Sequence, residues 1–153
     1  MSDSPRRLLL ANGPNLNLLG TREPEVYGSA TLADAERLAT EAAAAAGYEL
    51  RCVQSNHEGV LIDAIHDARH DCSGIAINPG GLTHTSVALR DALTGVALPV
   101  AEVHLSNVHR REEFRHHSYV SGIADVIVIG AGVHGYPFAV AQLIRLAEER
   151  STG

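Results

Sequence analysis

Five short apolar runs, separated by segments of helical period, leave this chain few folds to choose from. The runs are residues 6–11 (RRLLLA), 48–54 (YELRCVQ), 74–78 (GIAIN), 99–105 (PVAEVHL) and 125–132 (DVIVIGAG). Residues 31–47, 57–71, 82–95 and 133–150 carry Ala, Leu, Val and Ile at the three- and four-residue steps of a helix. Strands buried on both faces read as continuous apolar runs, and strands alternating with helices specify a parallel sheet covered on both sides. Right-handed crossovers then predict an α/β, doubly wound domain with a five-stranded parallel sheet in the flavodoxin-like order 2-1-3-4-5. At 153 residues, with no linker and no internal repeat, the chain suits a single domain over 1–153. Local signals mark helix ends: Thr31 with Asp34 has capping-box spacing, Gly47 supplies a stop, and Ser55 with Glu58 forms a second capping-box signature.

That strand order puts a crevice between the ends of strands one and three, where open α/β sheets bind ligands. The segment 12–28, NGPNLNLLGTREPEVYG, leaves the first strand there. A loop of this length is usually functional or disordered, and this one is not composed like a linker. Leu16, Leu18 and Leu19 are expected to anchor it, and Pro14 and Pro24 to restrict it. Asn12, Asn15 and Asn17 offer amides, and Arg22 and Tyr27 follow in a half, residues 20–28, that reads as a lid. The turn Asn78-Pro79-Gly80-Gly81 faces the same crevice, with the polar stretch 106–122 beside it.

Several functions are excluded. The formal charge is −6 and no basic stripe or aromatic run suits nucleic acid. All 12 basic residues are arginine, so no lysine can form a Schiff base. Cys52 and Cys72 lack CxxC spacing and read as packing thiols of a reducing cytosol. Arg6-Arg7 looks like a twin-arginine signal, but the apolar run behind it stops at Ala11, and nothing approaches the ~18 apolar residues of a membrane span. A soluble, cytoplasmic protein is expected. Gly130, Gly132 and Gly135 spell GxGxxG, yet only 18 residues follow Gly135, leaving no second strand for a dinucleotide unit. They are expected to form a tight strand-to-helix turn.

Four groups of residues could carry chemistry. Tyr27 is a candidate base: a free phenol has pKa ≈ 10, and the guanidinium of Arg22 on the same loop would favour its anion. The same spacing also fits an exposed structural tyrosine. Glu102 and His104, at i and i+2 on one strand face, suit a carboxylate that orients a general acid, or a histidine that merely caps the strand end. Leu105, Ser106 and Asn107 then turn away with backbone N–H groups free for an anion. His84 and Asp91, on the helix expected over 82–95, stand roughly 10 Å apart at ~1.5 Å rise per residue, too far to pair. The Asp could reach a neighbouring subunit or simply face solvent. Arg110, Arg111 and Arg115 with His109, His116 and His117 form a basic cluster, from which one group could hold a carboxylate. The histidines do not form a closed ligand set, so no metal is expected.

Together NLNLLGTREPEVYG, QSNHEGVLID, NPGGLTHTSVALRDAL and AEVHLSNVHRREEFRHHSY resemble, in order and spacing, the signature segments of type II 3-dehydroquinate dehydratases. The resemblance runs from about Leu8 to the last helix. It implies a homo-dodecamer built as a tetramer of trimers and a trans elimination of water from 3-dehydroquinate without cofactor or metal. By motif, Tyr27 would take the C2 proton as phenolate with Arg22 lowering its pKa. Asn15 would stabilise the enolate through an ordered water, and His104, oriented by Glu102, would protonate the departing C1 hydroxyl. Asn78, His84 and Arg115 would hold ring hydroxyls, the Leu105 and Ser106 amides the carboxylate, and Asp91 would reach across the trimer interface. Gly81, Gly122 and Asp125 depart from the family's pattern away from this chemistry.

Overall fold

The computed structural model describes residues 4–21 and 23–152, with the backbone alone of Tyr27. Strands β1 (Arg7–Asn12), β2 (Glu49–Gln54), β3 (Ile75–Asn78), β4 (Val100–His104) and β5 (Val126–Ile129) form one parallel sheet in the order β2-β1-β3-β4-β5. Helices α1 (Pro24–Tyr27), α2 (Leu32–Ala45), α3 (Glu58–Asp71), α4 (Val87–Val96) and α5 (Gly135–Thr152) accompany it. Asn12 pairs in register with Asn78, Ile77 with Glu102, and His104 with Ile129. The polar ends of β1, β3 and β4 therefore line up along one edge of an otherwise apolar sheet.

Alternation along each strand divides the core. Leu8, Leu10, Ala76, Ala101 and Val103 pack with Ala35, Ala39 and Ala43 of α2 and with Tyr136, Val140 and Leu143 of α5. Leu9, Ala11, Ile75, Ile77 and Val100 pack on the other face with Leu61, Ile65 and Ala68 of α3 and Leu89, Leu93 and Val96 of α4. Each buried leucine or isoleucine contributes about 1.5–3 kcal/mol, which is why consecutive leucines in β1 serve both layers. The sheet also separates the two thiols. Cys52 packs on the α2/α5 face and Cys72 on the α3/α4 face, both free, and burial pushes each thiol up to about 11.

The Thr31 capping box forms: Thr31 Oγ1 accepts from the Asp34 N–H at 3.2 Å, and Asp34 Oδ2 accepts from the Thr31 N–H at 2.9 Å. Gly47 ends α2 with φ 78°. The expected box at Ser55 and Glu58 does not form. Ser55 Oγ accepts from the His57 N–H at 2.9 Å, and the Glu58 carboxylate instead accepts from Ser86 Oγ, the N-cap of α4. A tertiary partner has outcompeted the local one. The helix expected over 82–95 also starts later. Residues Gly80–His84 form a 3₁₀ turn, Ser86 is extended, and α4 begins at Val87, so His84 and Asp91 do not share a helix.

Segment 12–28 has structure of its own: a 3₁₀ turn at Leu16–Leu18 and the short α1. Leu16 and Leu19 anchor it, but Leu18 is 45% exposed and does not. Stretch 106–122 contains 3₁₀ turns at Val108–Arg110 and Glu113–Arg115. The GxGxxG residues build the expected turn, with left-handed φ of 84° at Gly130 and 61° at Gly132 ahead of α5. Asp125 Oδ2 accepts from the Val100 N–H at 2.9 Å, while a side chain at Gly81 or Gly122 would meet open space. Among the described residues, no helix is long and apolar enough to cross a membrane.

Candidate active site

The site is built at the end of β4. Val100, Glu102 and His104 alternate onto the α3/α4 face, and the His104 Nε2 lies 2.6 Å from Glu102 Oε2. Glu102 is 0% exposed, yet both its oxygens are occupied. Ser118 Oγ donates to Oε2 at 2.7 Å, and Ser121 Oγ donates to Oε1. Burial pushes the Glu102 pKa up, but hydrogen bonds from His104, Ser121 and Ser118 and the His104 charge outweigh it, leaving the carboxyl below its ordinary value. An ionised carboxylate only accepts, so Nε2 carries hydrogen and Nδ1 is left for the cavity.

His104 lines a cavity of about 150 Å³ with Asn15, Asn78 and His84. Leu105, Ser106 and Arg115 complete its wall, together with Arg111 from the basic cluster. Two glycines allow the walls to approach. A Cβ at Gly13 would sit 2.3 Å from the Pro79 carbonyl oxygen, and one at Gly80 (φ 61°) 2.9 Å from that of Pro14. The loop after β1 can therefore lie against the turn after β3. Asn15 is left-handed at φ 70°, a conformation Asn tolerates, and its N–H donates to Asn56 Oδ1 at 2.9 Å.

Asn78 is held at both ends of its amide. Its Oδ1 accepts from the Gly80 N–H at 3.2 Å, and its Nδ2 donates to the Tyr136 hydroxyl at 3.0 Å. Tyr136 in turn donates to Asn12 Oδ1 at 2.6 Å. Burial raises the Tyr136 phenol far above its ordinary value, so it stays a neutral donor.

The His84 Nδ1 lies 2.7 Å from the His117 carbonyl oxygen, which requires Nδ1–H and leaves Nε2 as an acceptor. Burial lowers the His84 pKa, with the His104 and Arg115 charges adding to the effect against the His117 hydrogen bond. The imidazole is therefore neutral near pH 7. Arg115 is aimed by Glu112, whose oxygens lie 3.3 and 3.1 Å from its Nε, and by the Phe114 ring 5.0 Å beneath its guanidinium.

Seven of the residues given roles by the family resemblance thus line one cavity, with Glu102 directly behind it. Asp91 does not join them: it is exposed on α4, 4.0 Å from Arg90. Arg22 and the Tyr27 side chain lie outside the described residues. Sequence reasoning missed Ser118, Ser121 and Tyr136, whose partners are 16 to 124 residues away in the chain. A larger cavity of about 580 Å³ lies at the opposite end of β4, between Leu93, Leu98 and Leu146, with Asp125, Glu149 and Arg150 but no histidine in its lining. Among the described residues, no group of three or more His, Cys, Asp or Glu could hold a metal ion.

A flavodoxin-like α/β sheet with a carboxylate-backed imidazole, a neutral acceptor histidine, oriented amides and a guanidinium at its switch point defines an enzyme that moves protons on a small polar anion. The comparison with known proteins is more specific: residues 6–144 match the dehydroquinase class II family, and the chain belongs to it. It is 64% identical over 141 residues to the 3-dehydroquinate dehydratase of Herminiimonas arsenicoxydans, covering 92% of this chain and 97% of that one. The catabolic 3-dehydroquinase 2 of Aspergillus flavus is 63% identical over 137 residues, covering 90% and 91%. Among solved structures, the type II dehydroquinase of Butyrivibrio crossotus superposes with a TM-score of 0.88 at 42% identity, over 92% of this chain and 98% of that one.

Proposed function

We infer that the chain is a hydro-lyase that removes water from 3-dehydroquinate, giving 3-dehydroshikimate. The observation that carries this reading is the His104–Glu102 pair opening onto a crevice shared with Asn15, Asn78, His84 and Arg115, in a chain of the class II family. Elimination breaks C2–H and C1–OH. It needs a base, a stabiliser for the charge that develops on the C3 oxygen, and an acid for the leaving hydroxyl.

Tyr27 takes the C2 proton as a phenolate, with the Arg22 cation favouring its ionised form. Asn15, through a water, stabilises the enolate. His104 then gives its Nδ1 proton to the departing hydroxyl, and the Glu102 carboxylate stabilises the imidazolium that precedes this transfer. The Nε2 acceptor of His84, the Asn78 amide and Arg115 recognise ring hydroxyls, and the backbone amides of Leu105 and Ser106 hold the substrate carboxylate. No cofactor enters the scheme, and a chain without lysine has no side-chain amine for an imine route.

We also propose a tetramer of trimers in the cytoplasm, in which Asp91 enters a neighbouring subunit's site. The exposure of Asp91 in the single chain supports this, as do the exposed apolar side chains of Phe114, Ile127 and Phe138.

The test is an absorbance assay for the conjugated enone when purified protein meets 3-dehydroquinate, with chelator and after borohydride. Enone formation insensitive to both, with kcat lowered by orders of magnitude in Tyr27→Phe at unchanged ligand affinity, is the expected result. Ligand binding without enone in the unaltered protein would overturn the reading in favour of a binding module, and near-normal turnover in Tyr27→Phe would remove Tyr27 from the base role.

A further inference from the structure

We propose that Ser118 and Ser121 are positioning residues that keep Glu102 ionised and aimed at His104. The proposal rests on reading His104 as the proton donor backed by Glu102. A carboxylate that is 0% exposed ordinarily picks up a proton, because burial penalises its charge. Here that outcome is opposed by donors to both oxygens: Ser118 Oγ and His104 Nε2 to Oε2, and Ser121 Oγ to Oε1. Hydrogen bonds to an ionised acceptor are stronger than neutral ones and favour the charged form.

The serines are placed by a turn that cannot readily drift. Ser118 Oγ accepts from the N–H groups of Val120 at 3.1 Å and Ser121 at 3.0 Å, so its own hydrogen is committed to Glu102. Val120 is fully buried in the α3/α4 core, and the Tyr119 N–H donates to the Thr83 carbonyl at 2.9 Å, beside His84. Two backbone N–H groups thus polarise the hydroxyl that feeds the carboxylate, a chain in which each bond strengthens the next.

Other groups around Glu102 do not replace them. Its neighbours in the sheet, Ile77 and Ile127, do not titrate, and α3 and α4 bring apolar side chains to this face. The cavity of about 300 Å³ on this side also carries His84, His109, Arg115, His116 and His117, none of which is bonded to the carboxylate. Without the serines, His104 alone opposes burial. A carboxyl that then takes up a proton would itself donate, and would no longer fix hydrogen on Nε2 or leave Nδ1 aimed at the cavity.

The experiment measures kcat and KM at neutral pH for Ser121→Ala, Ser118→Ala, the double variant and the conservative Ser121→Thr. In parallel, pH-resolved infrared spectra follow the carboxyl C=O stretch of Glu102, assigned by its absence in Glu102→Gln. The expected result is a Glu102 carboxyl band that titrates about one pH unit higher in Ser121→Ala, a tenfold change in the ionisation constant. That titration should rise further in the double variant and be restored in Ser121→Thr, with kcat affected more than KM. Ser121 carries the test even if Ser118→Ala, which also loses the turn, fails to fold. A Ser121→Ala carboxyl titration and kcat matching those of the unaltered enzyme, with only the melting temperature lowered, would overturn the proposal. A fully active Glu102→Gln enzyme would instead remove the pair from the reaction, a different failure, which leaves the infrared titration to report whether the serines hold the charge.

Discussion

Replacing Tyr136 by phenylalanine removes one oxygen atom, and the structure says what that atom is worth. Its hydroxyl donates to Asn12 Oδ1 at 2.6 Å and accepts from Asn78 Nδ2 at 3.0 Å. Asn12 is 0% exposed and Asn78 3%, so solvent does not reach the freed partners. The Asn12 Nδ2 already lacks a partner among the described residues, so the variant strips that amide of its side-chain hydrogen bond as well. Asn78 keeps only the bond from the Gly80 N–H. Each such bond is worth about 0.5–1.5 kcal/mol net, and a buried group left unpaired costs about 1–3 kcal/mol, so Tyr136→Phe is expected to destabilise by roughly 2–4 kcal/mol. For a domain of this size that lowers Tm by about 5–15 °C. Urea unfolding and thermal melts at one fixed protein concentration measure it, with the urea slope unchanged because no additional surface is exposed. Activity supplies a second reading: Asn78 lines the crevice, and a loosened amide raises KM about tenfold, or ~1.4 kcal/mol of binding. A variant that melts within ~1 °C of the unaltered protein, with the same KM, would refute the view that this hydroxyl ties β1, β3 and α5 together beneath the site.

Two further outcomes follow from local features. The Glu102 pKa is held below its ordinary value of 4.5, so the stability it contributes is fully present above that pH and is lost as pH falls through the lower folded value. Glu102→Gln should therefore flatten the loss of Tm on acidification below pH 4.5, and a slope identical to that of the unaltered chain would contradict the assignment. Ala97, the exposed C-cap of α4, sits at φ 57° in the left-handed region that costs an L-residue about 1–2 kcal/mol. Against glycine's entropic cost of about 0.4–1 kcal/mol, Ala97→Gly should stabilise by about 0.5–1 kcal/mol in urea titration, and a lowered midpoint would count against strain there.

The order of elements and the strand order were legible along the chain, because a strand covered on both faces must be a continuous apolar run and its crossovers have one hand. The i, i+2 spacing of Glu102 and His104 likewise placed both on one face, since strand geometry alone decides that. Gly130 and Gly132 also form the tight strand-to-helix turn that their place between β5 and α5 suggested. What failed was local reasoning about contacts that compete with distant ones. Ser55 and Glu58 had the spacing of a cap, yet Glu58 bonds Ser86, the N-cap of α4, which begins at Val87, five residues later than the apolar pattern suggested. Leu18 fitted the apolar run but faces solvent while its neighbours are buried.

The sequence by itself therefore determined which segments are strands, their order, and which residue types meet at the ends of β1, β3 and β4, since period, handedness and burial are properties of short stretches. Only the tertiary structure decided that Ser118 and Ser121 reach Glu102, that Tyr136 joins Asn12 to Asn78, and that His84 turns its Nδ1 to the His117 carbonyl. A hydrogen bond between residues tens of positions apart depends on register and on how several loops close at once, and no local propensity encodes those distances.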